Sequence, residues 1–194
     1  MREKKPVELP SIEELEAEIQ RKKHSQNQRH LLRNTLYALI TVAAVTALIS
    51  VLFMPVLKTY GNSMSPTLED GEIVVAIATN DAKPGDVIAF YYNGKLFIKR
   101  VIALGGSTVD LAEDGTVYVD GEALDEPYLT EKVRGEGDVE FPYTVPDGCF
   151  FVMGDHRVNS ADSRNSILGC VEPDRMKGRV LFCVWPLDKL GAIH

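Results

Sequence analysis

Cysteine is scarce in this chain of 194 residues: Cys149, Cys170 and Cys183 are its only three. Three are too few for a disulfide scaffold, and their spacing holds no metal-binding pair. Their odd number leaves at least one thiol free or joined to another chain. No helical His/Glu pair of the metalloprotease kind is present, and nothing calls for a metal or a cofactor. Glycine and proline, 15 and 10 residues, are too few and too scattered for a fibrous or low-complexity chain. Basic residues are short where nucleic acid would need them. Residues 58–194 hold 13 Lys/Arg against 22 Asp/Glu, whereas residues 1–34 hold 8 against 6. An acidic main domain does not meet a phosphate backbone, so a nucleic-acid partner is excluded.

Charge is missing altogether from Asn34 to Leu57. Thr35–Leu57 as a helix is 23 residues and about 35 Å long, enough to cross a bilayer with some tilt. The run is apolar on every face, which argues against a buried core helix. A cleaved signal peptide is the other rival, and the 34 residues that precede the run, six of them acidic, argue against it. An uncleaved anchor is expected over 35–57, with Pro55 near its exit. Arg21, Lys22, Lys23, Arg29 and Arg33 precede it and only Lys58 follows closely. The positive-inside rule then places residues 1–34 in the cytoplasm and residues 58–194 outside. Before the span, Ser11-Ile12-Glu13-Glu14 reads as a capping box opening a brief cytoplasmic helix.

The remaining 137 residues read as one mainly β domain. Runs rich in Val, Ile, Phe and Tyr predict strands at Ile73–Ala78, Asp86–Tyr92, Leu96–Leu104, Thr116–Val119, Cys149–Met153 and Arg179–Trp185. Asn93-Gly94 between two of them is a two-residue hairpin signal. The acidic stretch Glu122–Glu140 reads as an exposed excursion between strands.

Three short segments concentrate chemistry. In Gly61–Leu68, Ser63 stands six residues past Leu57, within about 20 Å of the membrane surface even in an extended chain. Gly61 and Pro66 around it suit a fixed backbone that exposes a side chain. In Leu96–Ile102, strand alternation puts Phe97, Lys99 and Val101 on one face and Ile98, Arg100 and Ile102 on the other. Each basic residue then either snorkels to water or is desolvated, and burial turns a lysine ammonium into a usable base. Gly154–Arg164 follows an apolar strand and is crowded with polar side chains. Such a loop is either solvated or orients a catalytic group through supporting hydrogen bonds.

In this order, SMSPTL (63–68), FIKRVIALGG (97–106) and GDHRVNSADSR (154–164) resemble the Ser-bearing, Lys-bearing and Gly-Asp-x-Arg motifs of bacterial type I signal peptidases, peptidase family S26. These are membrane-anchored serine endopeptidases that remove signal peptides. The resemblance runs from the anchor to Trp185-Pro186 and is to the compact form found in Gram-positive bacteria. It implies the signal-peptidase β-fold of antiparallel sheets, with one N-terminal transmembrane helix. It implies Ser63 as nucleophile and Lys99 as general base, with no cofactor. Ser160 would help orient the lysine, Asp162 would pair with Arg164, and Asp155 would support the same loop. Substrates would be secretory preproteins with small residues before the cut, met at the cell membrane beside the secretion translocon. Trp185 and nearby apolar residues would touch lipid. The chain departs from the family twice: His156 stands where Asn is usual, and Gly61 where some members place a serine as a second oxyanion donor.

Two other classes share part of this pattern. A self-cleaving repressor of the SOS type shares a Ser–Lys dyad but needs a cytoplasmic DNA-binding domain. A membrane-tethered binding module or scaffold requires the dyad to be accidental.

Overall fold

The structure, a computed structural model, describes residues 12–193. It divides into two compact units, one up to Ile49 and one from Ser50 onward. Helix α1 runs from Ile12 to Phe53 through 42 residues, and its described part as far as Ile49 makes up the first unit. No glycine or proline lies between Pro10 and Pro55, so nothing in the chain separates the expected short cytoplasmic helix from the apolar one. The expected cap at Ser11 and the terminal His194 lie outside the described residues. Within α1, Gln28–Ser50 is long and apolar enough to cross a membrane, with a mean hydropathy of 1.6 and 0% of it buried.

The helix stops short of the expected Leu57. Pro55 lacks an N–H and disfavours helical geometry at Met54. Val56 and Leu57 instead enter strand β1 (Val56–Lys58), opposite Val75 and Val74 of β2 (Ile73–Ile77).

All strand pairings in the second unit are antiparallel among the described residues. The first β-sheet also uses β3 (Val87–Tyr92), β4 (Lys95–Leu104), β9 (Phe150–Met153) and β10 (Met176–Trp185). Its order is β1-β2-β10-β3-β4-β9, and β11 (Gly191–Ala192) pairs with β10. A smaller sheet, in the order β7-β6-β5-β8, contains β5 (Thr108–Leu111), β6 (Val117–Val119), β7 (Glu122–Ala123) and β8 (Tyr143–Thr144). Asn93 and Gly94 turn β3 into β4 with positive φ at both residues, as the twist of a two-residue hairpin requires.

Every residue of β9 is buried. Phe151 and Met153 pack with Val109, Leu111 and Val117 of the smaller sheet, while Phe150 and Val152 pack with Ile88, Phe90 and Val101. A strand gripped on both faces is a rigid base for the polar loop that follows it.

The stretch Glu122–Glu140 is largely exposed, as its composition predicts, but it is tied to the body of the domain at a few points. It opens with β7, and Glu126 is only 3% exposed, bonded to buried Arg157. Further along, the Arg134 carbonyl accepts from Arg164 Nη1 at 2.7 Å, and Asp138 accepts from Ser166. Buried guanidiniums need acceptors, and this segment supplies them as a strap across the 154–164 loop.

Candidate active site

Ser63 sits on a loop that the core holds from one side. Met64 and Leu68, 4% and 1% exposed, pack among Leu57, Val74 and Ala89. The Gly61 N–H donates to Asp70 Oδ1 at 2.7 Å, and Gly61 has a φ of +78°, which L side chains rarely adopt. Position 61 is therefore held to glycine and offers no hydroxyl. From the other side, the His156 N–H donates to the Ser63 carbonyl at 3.1 Å. Gly154 makes this approach possible, because a Cβ there would meet the Ser63 carbonyl oxygen and the Ser160 side chain.

Strand β4 delivers the lysine. Lys99 is 2% exposed and Arg100 1%, so of the two alternatives, snorkelling or desolvation, the strand takes desolvation for both basic residues. Lys99 Nζ lies 2.5 Å from Ser63 Oγ. Burial pulls the Lys99 amine down to about 8; Asp162 and Asp155 oppose this, and Arg164 adds to it.

Arg100 is satisfied rather than free. Its Nε and Nη2 donate to the two Asp155 oxygens at 2.9 and 2.7 Å, and Nη1 donates to the Gly85 carbonyl at 2.7 Å. Thr67 Oγ1 donates to Asp155 Oδ2 at 2.5 Å, and the guanidinium lies 3.8 Å from the Tyr128 ring centre. This clamp joins the neighbour of Lys99 to a residue four places past Ser63. Asp162 accepts from Arg164 Nε and Nη2, both at 2.9 Å, and from the Gly154 N–H at 2.9 Å. Burial works against its charge, but the Arg164 hydrogen bond and charge, with the Gly154 N–H, hold its carboxyl below the usual range.

Of the six residues singled out in the sequence, Ser63 and Lys99 are brought together directly, and Asp155, Asp162 and Arg164 form the buried framework around them. Ser160 lies in the same cluster. Its buried hydroxyl is turned to Asp162, whose charged form it favours, and stands over Gly154, with no hydrogen bond to Lys99. Sequence reasoning missed Thr67, Glu126 and Arg157 and left Arg100 without a role. Only Arg100 carried a local signal, a cation on an apolar strand.

Burying Lys99 has an energetic consequence. An unfolded lysine titrates near 10.4 and the folded one near 8. The unfolded chain binds more protons between these values, so stability rises as pH rises through that window. Below pH 8 the cost is fully present, on the order of 3 kcal/mol. Lys99→Met should therefore be more stable than the parent at pH 7 by roughly that amount, with the gap closing by about pH 10–11 in thermal unfolding. Equal stability at pH 7 would mean the amine is not held against its charge.

Around this pair lies a groove of about 660 Å³, lined by residues 58–64, by residues 95–99 of β4, and by Leu68, His156, Asn159 and Ala161. A serine hydroxyl beside a desolvated amine, on a fold of antiparallel sheets, defines a serine hydrolase. Residues 32–185 match the family model described as signal peptidase, peptidase S26. The chain is similar to signal peptidase I of Bacillus licheniformis, at 36% identity over 86% of this chain and 95% of that one. It is 37% identical to signal peptidase I T of Bacillus subtilis (strain 168), over 78% and 84%. A crystal structure of a signal peptidase I from Enterococcus faecalis V583 shares 33% identity, with a TM-score of 0.44 over 51% of this chain and 96% of that one. The chain belongs to the signal peptidase S26 family.

Proposed function

We infer that this protein is a membrane-anchored signal peptidase I, which cleaves N-terminal signal peptides from exported preproteins, with Ser63 as nucleophile and Lys99 as general base. The observation that carries the reading is the 2.5 Å approach of Lys99 Nζ to Ser63 Oγ in a setting that lowers the amine to about 8. The neutral amine takes the Ser63 proton as Oγ attacks the scissile carbonyl. The Ser63 N–H is the main donor to the oxyanion, since position 61 has no side chain. Lys99 then passes its proton to the departing amine, leaving an acyl-serine. A water deprotonated by Lys99 hydrolyses that ester and frees Ser63.

The substrate lies extended in the groove. Two free strand edges support this: β1 is the last strand on its side, and β9 covers β4 only from Arg100 onward. The apolar part of α1, within Gln28–Ser50, serves as the anchor, with the chain before it in the cytoplasm and the β domain outside, a topology supported by the basic flank before the apolar run. Exposed Trp185, Leu187 and Leu190, at 53%, 70% and 64%, favour contact with lipid. A place close to the translocon follows from the need to meet emerging preproteins.

His156 is not the base. Both Asp155 oxygens are taken by Arg100 and Thr67, so no His–Asp pair forms, and His156 Nδ1 is buried without a partner. What position 156 gives Ser63 is a backbone N–H, which asparagine supplies equally well. The test is preprotein cleavage in detergent across pH. With an amine near 8, roughly a tenth of the enzyme is competent at pH 7, so kcat/KM should climb to a plateau above about pH 9. His156→Asn should keep most activity and the same limb. A limb at pH 6 to 7 that vanishes in His156→Asn would replace the dyad with a histidine mechanism.

A further inference from the structure

The charge of the groove runs opposite to that of the domain around it. Residues 58–194 are strongly acidic, with 13 Lys/Arg against 22 Asp/Glu. The charged side chains lining the groove are nevertheless Lys58, Lys95 and Lys99, and no carboxylate lines it. Lys99 is buried against Ser63. Lys58 and Lys95 are exposed, and neither is paired with a carboxylate among the described residues. Lys58 Nζ stands 5.7 Å from the centre of the Tyr60 ring, which lines the same wall.

The two lysines occupy matching places. Lys58 is five residues before Ser63 on one wall, and Lys95 is four residues before Lys99 on the other. Along β4, at about 3.3 Å per residue, Lys95 lies roughly 13 Å from Lys99, and Lys58, at the end of β1, is at most about 18 Å of chain from Ser63. Next to Ser63 the lining is apolar, from Met64, Leu68 and Ile98, and suits small side chains just before the cut. An extended peptide with its scissile carbonyl at Ser63 and its preceding residues along the groove reaches the lysines four to five positions upstream.

We propose that Lys58 and Lys95 form a carboxylate subsite that selects preproteins with Asp or Glu four or five residues before the cleavage site. This rests on the reading of the groove as the substrate site. Two ammonium groups facing one extended chain attract a carboxylate and repel a lysine, and specificity is the difference between those affinities. Both groups are exposed, so the effect is modest and screened by salt.

The experiment uses the full chain in neutral detergent micelles and peptides that differ only in Glu, Gln or Lys at position four, and separately at position five, before the cut. The readout is the ratio of kcat/KM for the Glu and Lys peptides within each enzyme, so that a general loss of activity cancels. The expected ratio is about tenfold in low salt at one of the two positions, falling towards unity at about 1 M NaCl. In Lys58→Glu and Lys95→Glu the ratio should collapse or invert. Equal kcat/KM for the three peptides, or a ranking that both reversals leave intact, overturns the proposal while the dyad stands. An effect of the reversals that is blind to peptide charge and appears only with phosphatidylglycerol vesicles would assign the lysines to lipid and overturn it too. Failure of the parent enzyme to cut any of the peptides would remove the reading of the site itself, and the subsite with it.

Discussion

Ser63→Ala and Lys99→Ala should each abolish preprotein processing, with kcat/KM falling at least about a thousandfold. Serine is a weak nucleophile until its proton is taken, and the described residues place no other side-chain base within hydrogen-bonding reach of Ser63 Oγ. The two residues act as a unit, so the double variant should be no slower than either single one. Lys99→Arg should fail as completely, because a guanidinium keeps its proton at any working pH. None of these losses should come from unfolding. The Ser63 loop is held by Met64 and Leu68 in the core and by the His156 N–H, contacts that do not use the serine hydroxyl. Cleavage assays paired with thermal unfolding would separate the two causes. Robust turnover by folded Lys99→Ala would end the dyad reading and leave Lys99 a buried structural charge.

The parts of this fold legible in the sequence are those with local causes. Val87–Tyr92 and Lys95–Leu104 are dense in β-formers and joined by Asn-Gly, so strand, turn and register follow from neighbouring residues. Val56 and Leu57 are apolar in either state, so hydropathy alone extends the helix over them; only Pro55 and the partners Val75 and Val74 make them strand. Thr108–Leu111, Glu122–Ala123 and Tyr143–Thr144 are too short to show a period. The Ser63–Lys99 pair was legible through the order of three motifs. Their framework was not. Thr67 and Asp155 are 88 residues apart and Arg157 and Glu126 are 31 apart. Nothing near Glu126 distinguishes it from its solvated acidic neighbours, since its burial is decided by an arginine on another segment. The Ser160 hydroxyl shows the converse: the motif locates the residue, but its contact depends on how closely Gly154 lets the loop settle.

Asp155→Ala should be the most damaging single change outside the dyad. Asp155 and Arg100 have side chains 1% exposed each, and the pair is bidentate. Removing the carboxylate takes away the bidentate partner of a buried guanidinium, which keeps the Gly85 carbonyl, Thr67 Oγ1 and the face of Tyr128. Breaking one side of such a pair costs about 3–5 kcal/mol, which for a domain of this size lowers the melting temperature by roughly 12–20 °C. Replacing both partners with apolar residues, as in Arg100→Met with Asp155→Leu, should recover much of that loss, because no buried charge is then left alone. Activity should not recover with it. Thr67 lies four residues past Ser63 and donates to Asp155, and Arg100 is the next residue to Lys99, so the clamp sets the spacing of the reacting atoms as well as stabilising the fold. Thermal unfolding and kcat/KM should therefore separate: the double variant folded but slow, the single variant both unstable and slow. If Asp155→Ala melts within about 1 kcal/mol of the parent, the buried pair contributes nothing net. If the double variant is fully active, the spacing of Ser63 and Lys99 is set elsewhere, by the strand and the Gly154 contact alone.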